Sequence, residues 1–307
     1  METRRIGSLS VSVVGLGCNN FGTRLDQKGT SAVVGAALEA GVTLFDTADI
    51  YGRGRSEEYL GRALGARRAG VAIATKFGME MGSGRKGASP DYIRRAVEDS
   101  LRRLRTDHID LYQLHRPDPE APLADTLAAL DELVRAGKVR EIGCSYFTAR
   151  ELQEAARAAT GARFASVQNE YSLLHREPEE GVLAECERQG IAFLPYYPLA
   201  SGMLTGKYLR GAPPPPRTRL TTNPEWARRF LTAPHLAAVE RLGGWAGERG
   251  HTVLELAVSW LLSRPVVASV IAGASTPAQV RANVAAAEWH LAADDLAAID
   301  RVLETTS

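Results

Sequence analysis

Val42-Thr43-Leu44-Phe45-Asp46-Thr47-Ala48-Asp49-Ile50-Tyr51-Gly52 is the stretch that decides the fold. A short β-branched and aromatic run ends abruptly on a carboxylate, and a tyrosine follows five residues later. The same figure recurs: Val71-Ala72-Ile73-Ala74-Thr75 closes on Lys76, and Ile109-Asp110-Leu111-Tyr112-Gln113-Leu114 closes on His115. Runs this short, rich in Val, Ile, Leu or Phe and bounded by polar residues, read as buried strands. Further candidates lie at 139–145, 164–169, 191–196 and 266–271, and 11–17 is a first strand after a short hairpin over 4–12. Between them lie helical patterns with N-cap residues at Thr30 or Ser31, at Ser56, at Ser89 before Pro90, and at Thr148. Eight strands alternating with helices imply parallel pairing. Over ~250 residues a closed (β/α)8 TIM barrel is the economical α/β solution. The expected architecture is one domain over 1–307, with an N-terminal β-hairpin and two helical patterns (277–287 and 294–303) where a minimal barrel needs one.

Bulk properties narrow the function. A 45% apolar fraction suffices for a large core, and a net charge of +1 lacks the basic excess of a nucleic-acid binder. Cys18, Cys144 and Cys186 are odd in number and widely spaced, which fits a reducing compartment rather than a disulfide framework or thiolate zinc site. The six histidines contain no i,i+4 pair, so no metal is expected. No apolar run reaches the ~18 residues of a helical span. Met1-Glu2-Thr3-Arg4-Arg5 leads into a Gly/Ser-punctuated stretch and not into an apolar leader. A cytoplasmic protein without membrane or nucleic-acid partners is the expectation. The sequence leaves the oligomeric state open.

Polar groups at the C-terminal ends of neighbouring parallel strands converge on one mouth, where such barrels carry their chemistry. Each candidate has an ordinary alternative: Asp46 as a helix cap, Tyr51 as packing, Lys76 as a solvated rim, His115 as a core histidine. Together they form a proton-donating set. A free phenol, with a pKa of about 10, is a poor acid at neutral pH, and a nearby ammonium is expected to lower it. Lys76 supplies that charge, Asp46 holds Lys76 protonated, and His115 orients the oxygen that receives the proton.

At these residues the chain resembles the aldo-keto reductase family, in the branch shared by bacterial members and channel β-subunits. Asp46-Thr47-Ala48-x-x-Tyr51-Gly52, Thr75-Lys76 and Leu114-His115-Arg116-Pro117-Asp118 look like that family's tetrad segments, and the likeness runs from Gly15-Leu16-Gly17 to Asn283. The resemblance implies NADPH bound in extended form, with NADH less favoured. It further implies hydride transfer to an aldehyde or ketone and Tyr51 as the acid. Ser145 and Gln168 look like the carboxamide-binding pair, and Tyr196 like the residue stacked on nicotinamide. Leu199, Gly202 and Lys207 match the pyrophosphate segment. Arg217 falls near the adenosine end, and Gly273, Ser275, Gln279 and Asn283 match the 2′-phosphate and adenine site.

Three positions depart from the family pattern: Tyr146 stands where Asn is common, Ala282 where Glu often precedes Asn283, and Gln279 where many members have Arg. Asn19 and Asn20 replace a usual aromatic residue and predict a more polar pocket, with Phe21, Met79, Phe147 and Trp226 as candidate walls. The segment 198–234, with Pro213-Pro214-Pro215-Pro216 and the bases Lys207, Arg210, Arg217 and Arg219, reads as a functional flap of anion-binding character. Gly15-Leu16-Gly17 lacks the third glycine and the following helix of a dinucleotide-binding turn. Two alternatives stay open: a reductase or dehydrogenase of sugars or sugar nucleotides, and a non-catalytic NADPH-binding regulatory subunit.

Overall fold

Parallel strands buried on both faces form where helices cover the sheet, and the described residues of the computed structural model, 1–82 and 84–304, follow that pattern. A hairpin, β1 (Thr3–Ile6) and β2 (Leu9–Ser12), precedes the barrel strands β3 (Val14–Gly17), β4 (Leu44–Asp46), β5 (Ala72–Phe77), β6 (Ile109–Leu114), β7 (Val139–Ser145), β8 (Phe164–Glu170), β9 (Ala192–Tyr196) and β10 (Val270–Gly273). All neighbours from β3 to β9 pair in parallel, and β10 pairs with β3. Closure comes from 266–268: the Phe193 amide donates to the Val266 carbonyl at 2.8 Å, and the Ala268 amide donates to the Phe193 carbonyl at 3.0 Å. The expected eighth strand, 266–271, is therefore used in two pieces. Its first half meets β9 and its second half, continued to Gly273, meets β3.

Around the strands lie α1 (Gln27–Glu39), α2 (Arg55–Leu64), α3 (Pro90–Leu104), α4 (Leu123–Arg135), α5 (Ala149–Ala158) and α6 (Val182–Gln189). The long connection from β9 to β10 carries α7 (Arg219–Thr222), α8 (Pro224–Phe230), α9 (Ala233–Gly247) and α10 (Val253–Leu262), and α11 (Pro277–Ala285) and α12 (Ala293–Glu304) follow β10. Thr148 caps α5 in a reciprocal capping box with Glu151, and Ser89 precedes Pro90 at the start of α3. Two expected caps are replaced. α1 starts earlier, because the Asp26 carboxylate accepts from the Gly29 amide at 2.8 Å, which places Thr30 inside the helix. Ser56 lies one residue inside α2; its hydroxyl donates to the Cys18 carbonyl at 2.8 Å and meets the Thr47 hydroxyl at 2.8 Å. That hydroxyl ties α2 to the loops after β3 and β4 instead of capping the helix.

The lumen is filled by small and aliphatic residues at alternate strand positions, Leu44, Ala72, Ala74, Leu111, Leu194 and Ile271 among them, while Phe45, Ile73, Tyr112 and Phe193 face the helices. Ile6, Leu9 and Val11 of the hairpin join the lumen cluster and plug one end of the barrel. Arg4 fixes that plug through the carbonyls of Leu262, Arg264 and Val267. The period of two then decides which polar residues point inward higher up. Asp46 follows Leu44, Lys76 follows Ala72 and Ala74, and Gln113 follows Leu111, so all continue lumen-facing series. Among the described residues no helix is long and apolar enough to cross a membrane.

Candidate active site

Above the apolar plug the lumen becomes polar. Lys76 and Asp46 are almost fully buried and face each other, with Nζ 2.6 Å from Oδ2. Lys76 also donates to the Thr47 carbonyl at 3.1 Å. The second Asp46 oxygen accepts from the side-chain amides of Gln168 at 2.9 Å and Gln113 at 3.3 Å. A buried ion pair persists only where further hydrogen bonds satisfy its remaining lone pairs, and the two amides do this for Asp46.

Tyr51 opens a single turn after β4 and lies over this pair, with Lys76 Nζ 5.4 Å from its ring centroid. The His115 ring meets the Tyr51 ring edge-on, at 5.9 Å and 85°. Burial, with Lys76 and Arg116 nearby, pushes the His115 imidazole down to about 3. His115 is therefore neutral at physiological pH and presents one N–H donor.

The phenol of Tyr51 moves opposite to the sequence expectation. Burial and the Asp46 charge raise it, Tyr146 and Cys18 add to the rise, and Arg219 opposes them. Burial is the largest cause, and the Lys76 ammonium does not offset it, because at 2.6 Å from Asp46 it reaches Tyr51 as half of a neutral pair. Tyr51 is a protonated phenol across the working pH range.

These shifts make a stability prediction. The folded His115 resists protonation to about 3, whereas an unfolded histidine takes its proton near about 6.5. The contribution of His115 is whole above that range and is lost as pH falls from about 6.5 toward about 3. Asp49, pushed up to about 7 by burial and by Glu57, carries a slope of opposite sign, so the comparison must be between variants. Denaturant unfolding of wild type and His115→Gln from pH 7 to pH 4 is expected to show a stability difference that shrinks with acid; a constant difference rejects the shift.

Along the rim the residues assigned to cofactor binding separate into groups. The Ser145 hydroxyl donates to the Gln168 carbonyl at 2.6 Å, while the Gln168 side chain holds Asp46, so both are already fixed to the tetrad. Tyr196 is half-buried between Tyr146 and Tyr197, with ring centroids at 5.2 and 5.0 Å. Leu199, Ala200, Ser201 and Gly202 form a tight turn whose last three residues have φ of 44°, 58° and 96°. Consecutive left-handed residues turn backbone amides toward one concavity, a shape suited to an oxyanion. A side chain at Gly202 would collide with Lys207 Nζ, 2.7 Å from an ideal Cβ.

Lys207, Arg219 and Arg24 cluster there. Burial and the charge of Arg24 lower both Lys207 and Arg219, and Arg219 lowers Lys207 further. Like charges gathered with no carboxylate among the dominant influences suit a phosphate-bearing ligand, so the residues present fit the anionic end of a dinucleotide. Arg219 was recognised in the sequence only as part of the flap's basic character. The fold turns it inward: its guanidinium donates to Asn20 Oδ1 at 3.1 Å and lies 5.6 Å from the Trp226 ring. Arg217 stays exposed on the flap, with φ of 60°. Asn20 does not polarise the pocket as expected, because it is buried and spends its amide on the Ala274 carbonyl and the Ser275 hydroxyl.

At the far end Gln279 Oε1 accepts from the Ser275 amide at 2.7 Å, Gly273 ends β10, and Asn283 is buried on α11. Of the candidate walls, Trp226 lies at the rim against Tyr197. Phe21 and Phe147 are sequestered in the layer between strands and helices, and Met79 is half-buried. Phe21 and Phe147 are thus packing residues.

The sequence profile of the aldo/keto reductase family matches residues 13–304. The chain belongs to the aldo/keto reductase family. Like the family, it is an NAD(P)H-dependent oxidoreductase. Among its relatives, aldo-keto reductase YhdN of Bacillus subtilis is 36% identical, with 97% of this chain and 92% of that protein aligned. A protein of Arabidopsis thaliana described as a probable voltage-gated potassium channel subunit beta is 35% identical over 94% of this chain and 91% of its own length. Among solved structures, the glycerol dehydrogenase of Gluconobacter oxydans superposes with a TM-score of 0.86 at 31% identity, covering 99% of this reductase and 95% of that chain.

Proposed function

We propose that this reductase converts aldehydes or ketones to alcohols with NADPH, using Tyr51 as the acid and His115 to orient the carbonyl. The observation that carries the reading is the edge-on meeting of Tyr51 with a neutral His115 above the Lys76–Asp46 pair. A bound reduced nicotinamide supplies the hydride. The carbonyl oxygen sits between the Tyr51 hydroxyl and the His115 N–H, where charge developing on it meets two donors. The Tyr51 proton passes to that oxygen, and the phenolate left behind lies against the ammonium end of the Lys76–Asp46 pair. Ser145, Gln168 and Tyr196 bound the nicotinamide end, and Leu199, Gly202 and Lys207 the phosphates. Gly273, Ser275, Gln279 and Asn283 bound the adenosine end, with Arg217 near it.

Arg219, as an inward cation beside Lys207, is assigned to the phosphates as well. Arg219→Ala is expected to weaken NADPH binding by about tenfold, the scale of one charge-assisted hydrogen bond, read by nucleotide fluorescence. Parallel titrations of Arg217→Ala ask whether the exposed arginine favours NADPH over NADH; an equal loss for both cofactors rejects that role.

The deciding experiment follows consumption of NADPH, and of NADH in parallel, with aldehydes, ketones and sugars. Turnover supports the reading. Tight NADPH binding without turnover would favour the regulatory alternative, which the likeness to a channel β-subunit keeps in view. The likeness to a glycerol dehydrogenase supports including small polyols with NADP+, since the same residues serve the reverse direction.

A further inference from the structure

Apart from the cluster of Lys207, Arg219 and Arg24, a further cation stands at the mouth without a carboxylate partner among the described residues. Arg116 directly follows His115, is exposed at the rim, and lies with its guanidinium carbon 4.2 Å from the centroid of the Tyr146 ring. The nearby carboxylates are engaged elsewhere. Asp46 pairs with Lys76, Glu170 takes Arg229 at 2.6 Å on each oxygen, and Asp118 accepts from the amides of Ala88 and Glu120 at 2.7 and 3.0 Å. Among the described residues no carboxylate pairs with Arg116.

Its platform is held at a cost. Tyr146 follows β7 with φ of 63°, a conformation that costs a side-chain-bearing residue about 1 kcal/mol or more. The Tyr146 amide donates to the Gln168 carbonyl at 3.2 Å and its ring lies 5.2 Å from Tyr196, so the strained turn is fixed on two sides. Strain of this kind recurs at functional sites. Here it presents a phenol face to the rim, over which a guanidinium stacks while its N–H fork stays free. A cation oriented by stacking and left without an acid is preorganised for an anion.

Arg116 is the residue next to His115, and its charge contributes to holding His115 neutral. Tyr146 ties Arg116 to the site: its ring carries the guanidinium at 4.2 Å and lies 5.2 Å from Tyr196, and its phenol bears on Tyr51.

We infer that the preferred substrate is a small aldehyde or ketone bearing an oxyanion, carboxylate or phosphate, a few bonds from the carbonyl carbon, and that Arg116 stacked on Tyr146 selects it. This rests on the reading of the mouth as a carbonyl-reducing site. A large neutral aryl aldehyde gains nothing from the guanidinium. A charged substrate gains the contact in ground and transition states alike, so selection enters mainly through KM.

The test uses matched pairs: 4-oxobutanoate against butanal for the carboxylate, and glycolaldehyde phosphate against glycolaldehyde for the phosphate. In wild type, kcat/KM for at least one charged member is expected to exceed that of its neutral partner by about tenfold or more, carried by KM and falling with added salt. In Arg116→Met, which keeps the stem without the charge, the ratio falls to about one, and Arg116→Lys restores part of it. Which pair responds identifies carboxylate or phosphate. Equal kcat/KM within both pairs in wild type, or a ratio that survives Arg116→Met, overturns the inference while leaving carbonyl reduction standing. No turnover of any of the four compounds, or of the wider panel of carbonyl compounds, sinks the inference together with the reading beneath it.

Discussion

Tyr51→Phe lowers kcat for carbonyl reduction by about 10²–10⁴-fold, the range that a positioned general acid contributes. The substitution removes one hydroxyl from a ring whose packing against His115 and Lys76 remains. Fold stability and NADPH affinity are therefore expected to stay within about twofold of wild type in the binding constant, because the lost interaction matters in the transition state. Stopped-flow reduction with saturating NADPH separates the chemical step from product release. The raised phenol sharpens the forecast: since Tyr51 holds its proton, reduction by wild type should show no loss assignable to Tyr51 ionisation up to pH 9. Retained turnover in Tyr51→Phe removes Tyr51 as the donor.

Lys76→Met is the second large effect, and it acts on stability as well as on rate. It leaves the Asp46 carboxylate buried beside Gln113 and Gln168 with its counter-charge gone. Stranding one member of a buried pair costs about 3–5 kcal/mol, a large part of an ordinary domain's stability. The denaturant midpoint should fall accordingly, and kcat should fall with it, because the phenolate left by Tyr51 no longer meets an ammonium. Asp46→Asn in the same background separates the two consequences. The double variant keeps an acceptor for the glutamine amides and removes the orphaned charge, so most of the stability returns while turnover does not. An unchanged midpoint for Lys76→Met would show that the pair is not the buried contact described.

The barrel was legible in the sequence because eight short apolar runs alternating with helical patterns leave a parallel, helix-covered sheet as the simple arrangement. The misplaced features have local causes. Thr30 and Ser31 are good capping residues, but Asp26 with Gly29 starts α1 one turn earlier. Segment 266–271 is one apolar run, yet it divides between two neighbours because the barrel closes there. Asn20 is polar as expected, but it lies at the junction of two loops and the flap and spends its groups on them.

The sequence by itself determined which residues occupy the mouth. A strand's period of two and the position of its end dictate that Asp46, Lys76 and His115 arrive at one rim, and family likeness adds the roles. Tertiary structure alone decided their electrostatic state and the identity of the cations. Whether Lys76 reaches Tyr51 as a free charge or as half of a pair depends on a 2.6 Å contact between strands β4 and β5, 30 residues apart in the chain. Whether Arg217 or Arg219 turns inward, and whether Arg116 finds an acid, depends on how a flap and three loops pack over the rim. Such contacts carry no periodicity, so no pattern along the chain encodes them.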